Sequence, residues 1–322
     1  MNASAPYALL FPGQGAQTSG MGRRWNEVST AARRTFERAD AALGFPLSRL
    51  CFGGPAAQLA MTENAQPALL TFCIAALSAI QEANPELAEP LCVAGHSVGE
   101  YAALVAGNAL DFEDAVRLVR LRGKAMQRAA SQADNSRMNG PWMVSLTGGS
   151  PESVLEICAA AAGDQVLQPA AWNAPGHVVI SGHPTALIRA AAEAESRGII
   201  AKQLRVSAPF HSKLMRGAAA ELADALEEIK VQPPRFPLIS NADAKPTYEP
   251  RKIRALLVEQ MTAPVQWQQC VHKVFALGAE QALEIGPRRV LRGFVRKIEP
   301  RLKVINVVTP DDTNFTTLGV SP

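Results

Sequence analysis

The chain has 322 residues, of which 48% are hydrophobic and 19% are charged. This composition supplies enough apolar side chains for a large core and excludes an intrinsically disordered chain. The formal net charge of +3 is too small for this length to favour nucleic-acid binding as the main task.

The first predicted element is a short buried strand at residues 7–11, which ends at the turn-forming sequence PGQG. Ahead of it there is no basic segment followed by a long apolar one, so we expect no export signal. No apolar run in the chain approaches the length of a membrane span. The next predicted elements are a helix at 23–42, a long buried helix with Pro67 in its first turn, a buried strand at 91–94 and a helix at 98–106.

Further along the chain, the pattern predicts a small insert. A helical pattern at 111–130 is interrupted by polar residues at 132–140, and strand and helix patterns then alternate until about Val206. The predicted elements of this stretch are strands at 143–147 and 177–181 and helices at 151–162 and 184–197; a final buried strand is predicted at 304–308. This alternation indicates an α+β insert within a larger domain.

The pentapeptide Gly95-His96-Ser97-Val98-Gly99 is a GxSxG sequence between a predicted strand and a predicted helix. In that setting it is typical of a nucleophile elbow, in which small flanking residues permit a tight turn that exposes the serine hydroxyl. The helix that follows directs free N–H groups at an oxyanion formed beside Ser97. The alternative interpretation is a glycine-bounded turn whose serine has no catalytic role.

A serine nucleophile needs a base, and the chain has five histidines: His96, His177, His183, His211 and His272. His96 adjoins the serine, so its side chain leaves the elbow in another direction. His177 and His183 fall in the predicted insert, and the remaining two differ in their surroundings. His272 lies in a helical pattern, whereas His211 lies in a non-repetitive segment where the chain re-enters the main domain. His211 is therefore the candidate base, although chemistry alone leaves the assignment open.

Several motifs occur in one order along nearly the whole chain. They are FPGQGAQ at 11–17, QPALLT at 66–71, GHSVGEYAAL at 95–104, LRGKAMQ at 121–127, NAPGHVVISG at 173–182, SAPFHSKLM at 207–215, APVQW at 263–267 and EIGP at 284–287. Together they resemble the malonyl-coenzyme A:acyl carrier protein transacylase family, whose fold also occurs in acyltransferase domains of polyketide synthases. Motifs in a shared order are far more specific than GxSxG alone.

The resemblance implies a fold of the α/β class. A large α/β hydrolase-like domain with a parallel central sheet is expected at residues 1–139 and 208–322, and a ferredoxin-like α+β small subdomain at 140–207, with the active site in the cleft between them. The implied reaction moves a malonyl or related carboxyacyl group from coenzyme A to the phosphopantetheine thiol of an acyl carrier protein. It would serve fatty-acid or polyketide synthesis.

The resemblance also assigns roles to individual residues. Ser97 is the acyl-bearing nucleophile and His211 its general acid and base. The backbone carbonyl that orients the histidine is expected at Gln266, in place of a carboxylate. Gln14, in a loop that lines the site, and the backbone N–H of Val98 are expected to form the oxyanion hole.

Arg122 matches the family arginine that binds the free carboxylate of malonate. A malonyl group ends in a planar anion, and a guanidinium offers two parallel donors that fit it. The alternative is a solvated helix arginine, because Arg117, Arg120 and Lys124 lie close by in the sequence.

Two aromatic residues are expected to shape the acyl pocket. Phe210 precedes the candidate base and resembles the malonyl-selecting pattern, since a bulky ring would crowd an α-methyl branch. Trp142 stands in the sequence GPWM where the family usually has GAM, and it could reshape the pocket. Either ring could instead be an ordinary core or hinge residue.

The resemblance implies malonyl-coenzyme A and an acyl carrier protein as partners, with a synthase complex as a further candidate. No cofactor or metal is expected, and the small net charge and the lack of a long apolar run argue against a nucleic-acid or membrane partner. The five cysteines form no CxxC pair, so neither a disulfide framework nor a zinc site is expected. We expect reduced thiols and a cytoplasmic protein.

Carrier proteins are acidic, so a basic docking surface is expected on this chain. The candidates are Arg288, Arg289, Arg292, Arg296 and Lys297 in one stretch and Lys202 and Arg205 near the return from the insert. Charge reversal at these positions should slow transfer to the carrier protein at low salt. Unchanged carrier-protein kinetics would contradict docking at this surface.

Two other functions use the same features. The first is a thioesterase that clears acyl groups from carrier proteins and releases them to water through Ser97 and His211. Arg122 argues against it, because a carboxylate-binding residue has little purpose for unselected acyl chains. The second is a non-catalytic docking module, which the presence of Ser97, His211 and Arg122 disfavours.

Overall fold

Two separate sheets organise the chain in the computed structural model, which describes residues 5–133, 140 and 142–313. The strands are β1 (Tyr7–Phe11), β2 (Cys92–Gly95), β3 (Met143–Thr147), β4 (Leu167–Ala174), β5 (His177–Gly182), β6 (Ile200–Gln203), β7 (Leu238–Ile239), β8 (Pro246–Thr247), β9 (Gln281–Ile285) and β10 (Lys303–Val307). The helices are α1 (Arg23–Val28), α2 (Thr30–Leu43), α3 (Leu47–Gly53), α4 (Ala56–Ala60), α5 (Thr62–Ala83), α6 (Gly99–Ala106), α7 (Phe112–Ala133), α8 (Pro151–Ala162), α9 (Pro184–Ser196), α10 (Arg216–Glu227), α11 (Pro250–Gln260), α12 (Trp267–Ala276) and α13 (Leu291–Ile298).

The main sheet has the strand order β10-β9-β1-β2-β7-β8 and is parallel except where β7 pairs with β8. Every residue of β1, β2 and β9 is buried. Such continuous burial is typical of a parallel sheet whose two faces are covered by helices. The predicted parallel α/β architecture is confirmed.

The second sheet has the order β4-β5-β3-β6 and is antiparallel throughout its named pairs. With α8 and α9 it forms a β-α-β-β-α-β unit in the ferredoxin-like order. The unit has its own core, which includes Val144, Ile157 and Ile180. The predicted insert is therefore present as a separate antiparallel sheet, while its limits at residues 140 and 207 stay a prediction.

Two of the predicted helices differ in the structure. The stretch at 23–42 is divided by Ser29, which is extended with φ of −124° and whose side chain accepts the N–H of Ala32 as the N-cap of α2. This capping bond satisfies a donor that the start of a helix leaves free. Pro67 lies inside α5 and not in its first turn, because that helix already begins at Thr62.

The small sheet contacts the chain segments that follow β6 and α11. Ala171 in β4 forms a parallel bridge with Val265, which lies two residues before the start of α12. The side chain of Gln168, also in β4, donates to the carbonyl oxygens of His211 (3.4 Å) and Thr262 (3.1 Å). The small sheet thus holds the loops that carry the candidate base and the end of α11.

Candidate active site

The turn between β2 and α6 holds Ser97 in a left-handed backbone conformation, with φ of 53°. Glycine is required on both sides of it. A Cβ on Gly95 would lie 2.0 Å from the carbonyl carbon of Gly99, and one on Gly99 would lie 2.3 Å from the carbonyl oxygen of Phe11. The turn therefore has the geometry of a nucleophile elbow, at the end of the sheet where open parallel sheets bind ligands.

Ser97 and His211 lie in direct contact although 114 positions separate them. The Ser97 hydroxyl is 2.7 Å from Nε2 of His211. The imidazole is buried, and His211 also has a left-handed backbone, with φ of 58°. The geometry is that of a nucleophile and its base.

The carbonyl that orients His211 belongs to Gln260, and the prediction of Gln266 is wrong. Nδ1 of His211 is 2.7 Å from the Gln260 carbonyl oxygen. Gln260 is the last residue of α11, where carbonyl groups lack partners within the helix and are free to accept from elsewhere. The carbonyl of Gln266 instead accepts the N–H of Cys270 within α12.

The surroundings of His211 favour its neutral form. Burial lowers the pKa of this imidazole to about 3, with a smaller contribution from the positive charge of Arg122, while the hydrogen bond to Gln260 opposes the shift. A neutral imidazole that donates from Nδ1 to a carbonyl has its Nε2 lone pair directed at the serine hydroxyl. His211 is therefore prepared to accept a proton from Ser97.

Arg122 is completely enclosed, with 1% of its surface exposed, and its nearest polar partners are neutral. It donates to the side-chain oxygens of Gln66 (2.8 Å) and Gln260 (2.9 Å), and its Nη2 lies 3.4 Å from the Ser97 hydroxyl. Among the described residues it forms no ion pair, and its Nε has no hydrogen-bond partner. Burial lowers the pKa of the guanidinium. The alternative of a solvated helix arginine is excluded by this burial.

The loop that carries Gln14 packs against the elbow. A Cβ on Gly13 would lie 2.5 Å from the carbonyl oxygen of His96, so the two backbones are in close contact. The side chain of Gln14 donates to the hydroxyl of Thr62 at 3.2 Å. The loop therefore lies against the elbow with the side-chain amide of Gln14 engaged by Thr62, and its part in an oxyanion hole stays a prediction.

Asn241 binds the elbow on both sides of the nucleophile. Its Oδ1 accepts the N–H of Ser97 at 2.7 Å, and its Nδ2 donates to the carbonyl of Gly95 at 2.7 Å. The N–H of Ser97 is therefore occupied, whereas that of Val98 has no acceptor within the described part of the chain; its place in an oxyanion hole stays a prediction.

The two predicted pocket aromatics belong to the edge of the main core. Phe210 is buried, and Trp142 is half-buried against the same core. The carbonyl of Trp142 accepts the N–H of Gly182, the last residue of β5, at 3.4 Å. Their roles in selecting the acyl group stay predictions.

The basic candidates for docking are exposed. Arg288, Arg289, Arg292, Arg296, Lys297, Lys202 and Arg205 all present their side chains to solvent. Within the described part of the chain, the ion pair found for this set joins Arg289 to Asp312 at 3.9 Å. The surface is thus available to an acidic partner.

Four residues around the elbow were not predicted from the sequence: Gln66, Glu100, Asn241 and Gln260. Gln66 and Glu100 lie inside the quoted motifs QPALLT and GHSVGEYAAL, so the motifs contain them without indicating a role. Asn241 and Gln260 lie in segments without a local signal. Their importance arises from contacts between distant parts of the chain.

The structure also shows the state of the cysteines and the length and hydropathy of the helices. The five cysteines are all buried and unpaired. Within residues 5–133, 140 and 142–313, no helix is both long and apolar enough to span a bilayer.

The chain is similar to known acyltransferases over nearly its whole length. Residues 8–316 match the acyl transferase domain family. The malonyl CoA-acyl carrier protein transacylase of Bacillus subtilis strain 168 is 40% identical over 306 residues, which are 94% of each protein. The solved malonyl CoA-acyl carrier protein transacylase of Coxiella burnetii has a TM-score of 0.94 at 34% identity over 100% of both chains. A malonyl-transacylase solved in complex with a type II PKS acyl-carrier protein has a TM-score of 0.91 at 37% identity, over 97% of this chain and 98% of its own.

Proposed function

Because the chain belongs to the acyl transferase family and, within it, to the malonyl CoA-acyl carrier protein transacylases, we propose that it transfers a malonyl group from coenzyme A to an acyl carrier protein. The observation that carries this function is the position of Arg122. A buried guanidinium that forms no ion pair among the described residues lies 3.4 Å from the hydroxyl of Ser97. An anion supplied by the substrate would satisfy it.

The short distance between Arg122 and Ser97 favours a short diacid. A carboxylate bound to this guanidinium lies only a few bonds from an acyl carbon attached to Ser97, as in malonyl, where one methylene separates the two carbonyl carbons. Phe210 is proposed to restrict the α-carbon, and Trp142 to close the pocket near the hinge.

In the first half of the reaction, Ser97 attacks the thioester carbonyl while its proton moves to Nε2 of His211. The carbonyl of Gln260 accepts from Nδ1 and stabilises the imidazolium that results. The N–H of Val98, with the loop of Gln14, stabilises the tetrahedral oxyanion. Coenzyme A leaves as its thiol after taking the proton from His211, and the malonyl ester remains on Ser97.

In the second half, the phosphopantetheine thiol of the carrier protein gives its proton to His211 and attacks the ester carbonyl. Collapse of the tetrahedral intermediate returns the proton to Ser97 and leaves malonyl on the carrier. The exposed basic residues described above are proposed to dock the acidic carrier. The complex of a related malonyl-transacylase with its acyl-carrier protein supports this partner.

The transfer is tested with radiolabelled malonyl-coenzyme A. The isolated protein should retain label on Ser97 and release it only when carrier protein is added, and Ser97→Ala should acquire none. Rapid loss as free malonate without carrier would support the thioesterase instead. Absence of label on the unsubstituted chain would support the docking module.

A pH profile tests the role of His211. Since its pKa is lowered to about 3, the neutral base persists as the pH falls to 5. An ordinary imidazole would lose about thirtyfold of its neutral form at pH 5. We therefore expect the single-turnover rate of Ser97 loading to fall by less than about threefold between pH 7.5 and 5. A decline centred near pH 6.5 would contradict a buried neutral base.

The reaction as proposed uses only backbone and side-chain groups of the protein, the coenzyme A thioester and the carrier thiol, so we propose no additional cofactor. We also propose the cytoplasm as the compartment. Five unpaired, buried cysteines support it, because thiols remain reduced there.

A further inference from the structure

Glu100 is a buried carboxyl group that the reaction described above does not use. It lies in the first turn of α6, three residues after Ser97, and has 0% of its surface exposed. Its Oε2 accepts from Nε2 of Gln260 at 2.6 Å and from the N–H of Asn241 at 3.2 Å. Burial of a carboxyl group is costly, and an apolar side chain would fill the same space at a lower cost.

Gln260 is the residue through which Glu100 reaches the active site. Its backbone carbonyl accepts from His211, and its side-chain oxygen accepts from Arg122 at 2.9 Å. Its Nε2 has two protons and donates to Glu100 at 2.6 Å and to the carbonyl oxygen of Ser97 at 3.2 Å. The bond to Glu100 is the shortest that its side chain makes.

The contact with Ser97 involves the oxyanion-hole peptide. The carbonyl of Ser97 and the N–H of Val98 belong to the same peptide group. That carbonyl also accepts the backbone N–H of Glu100 at 3.0 Å, and the second donor from Gln260 further restrains the peptide plane and polarises it, which strengthens its N–H as a donor. The orientation of the Gln260 side chain therefore affects both the carboxylate-binding guanidinium and the N–H that faces the oxyanion.

We propose that Glu100 is a positioning residue that holds the Gln260 side chain in contact with Arg122 and the Ser97–Val98 peptide at the same time. The proposal rests on the proposed function. Malonyl loading depends on both contacts, whereas loading of a neutral acyl group depends only on the peptide. Loss of the acceptor at Glu100 should therefore harm malonyl more than acetyl.

The acceptor is present in either ionisation state of Glu100. Burial raises its pKa to about 7, and the hydrogen bonds from Asn241 and Gln260 oppose the rise. Among the described residues Oε1 has no hydrogen-bond partner, so it can carry the proton while Oε2 continues to accept. Glu100→Gln also retains an oxygen at this place, so we expect it to keep the ratio of malonyl to acetyl loading within about threefold of the original.

The test compares kcat/KM for loading from malonyl-coenzyme A and acetyl-coenzyme A in the full chain. Glu100→Asp withdraws the acceptor, and Glu100→Met removes it. Each should lower the malonyl-to-acetyl ratio by about tenfold, the effect expected for one hydrogen bond to a charged group. Thermal unfolding identifies any variant that fails to fold; if Glu100→Met does, Glu100→Asp decides the question.

Glu284→Asp is the matched control. Glu284 is also buried, and its oxygens accept from the N–H groups of Val290, Leu291 and Arg292 at the start of α13. Its shortening should lower stability without changing the acyl ratio. A general structural defect would reduce both substrates equally, so the ratio separates positioning from folding.

A double-mutant cycle with Gln260→Met tests whether Glu100 acts through Gln260. In that background the effect of Glu100→Met on the ratio should largely disappear. The proposal would be overturned if Glu100→Asp and Glu100→Met both left the malonyl-to-acetyl ratio unchanged. It would also be overturned if Glu100→Met lowered the ratio as strongly in the Gln260→Met background as in the unsubstituted chain. Failure of the unsubstituted chain to load malonyl would instead refute the proposed function.

Discussion

Arg122→Ala should lower kcat/KM for malonyl loading by about 10²- to 10³-fold, the cost of truncating one partner of a buried charged contact. Acetyl loading should be retained or improved, because acetyl has no carboxylate to place. The substitution also removes a buried positive charge close to His211. In the unsubstituted chain that charge contributes to the lowered pKa of the imidazole. Loading rates for both substrates over a range of concentrations measure the effect.

Two further variants define the cause. Arg122→Lys retains a charge but not the two parallel donors, so it should recover only part of the malonyl activity. Arg117→Ala on the same helix removes an exposed arginine that pairs with Asp114, and it should change neither substrate. Equal losses of malonyl and acetyl loading in Arg122→Ala would mean that the residue is structural.

The burial of Arg122 was in part readable from the sequence. The buried face of α7 includes Leu118, Val119, Ala125 and Met126, and Arg122 stands three or four positions from each of them. Helical periodicity therefore places the arginine on the apolar face, which is an unusual place for an unpaired cation. The resemblance supplied its role, whereas the charged neighbours Arg117, Arg120 and Lys124 had favoured a solvated side chain.

The orientation of His211 shows what the sequence could not provide. Either Gln260 or Gln266 can offer a backbone carbonyl, and a carbonyl has no sequence signature. The choice depends on which of them lies at a helix end without an intrahelical partner, and on where that end lies relative to a segment about fifty positions away. The elbow was predictable for the opposite reason, since its glycines, serine, strand and helix are consecutive.

The contacts of Asn241 that hold the elbow could not be predicted from the sequence either. Asn241 reaches Ser97 and Gly95 across 144 and 146 positions, and no periodicity marks it. Its contacts exist because β7 pairs with β2 in the main sheet and so delivers the following loop to the turn. Strand order, which the sequence leaves open, decides which polar side chains surround the nucleophile.

Gly99→Ala should both destabilise the protein and impair loading of Ser97. The added Cβ would lie 2.3 Å from the carbonyl oxygen of Phe11 and 2.8 Å from that of Pro12. These are backbone atoms at the end of β1, which is paired on both sides, so they cannot move aside as a flexible side chain would. We expect a loss of about 3 kcal/mol in the free energy of unfolding, the upper end for overpacking.

The loss of activity in Gly99→Ala should exceed what the loss of stability explains. Relief of the clash moves the start of α6, and with it Ser97 and the N–H of Val98; a displacement of about 1 Å in a reacting group can cost about 10²-fold in rate. Gly293→Ala is the control, because a Cβ in that exposed position of α13 meets no atom within 4 Å. It should be neutral or stabilise by up to about 1 kcal/mol. Denaturant unfolding measures the stability of both variants, and single-turnover kinetics measure their loading rates. If Gly99→Ala kept the stability and the loading rate of the unsubstituted chain, the elbow would tolerate a side chain that its backbone contacts should exclude.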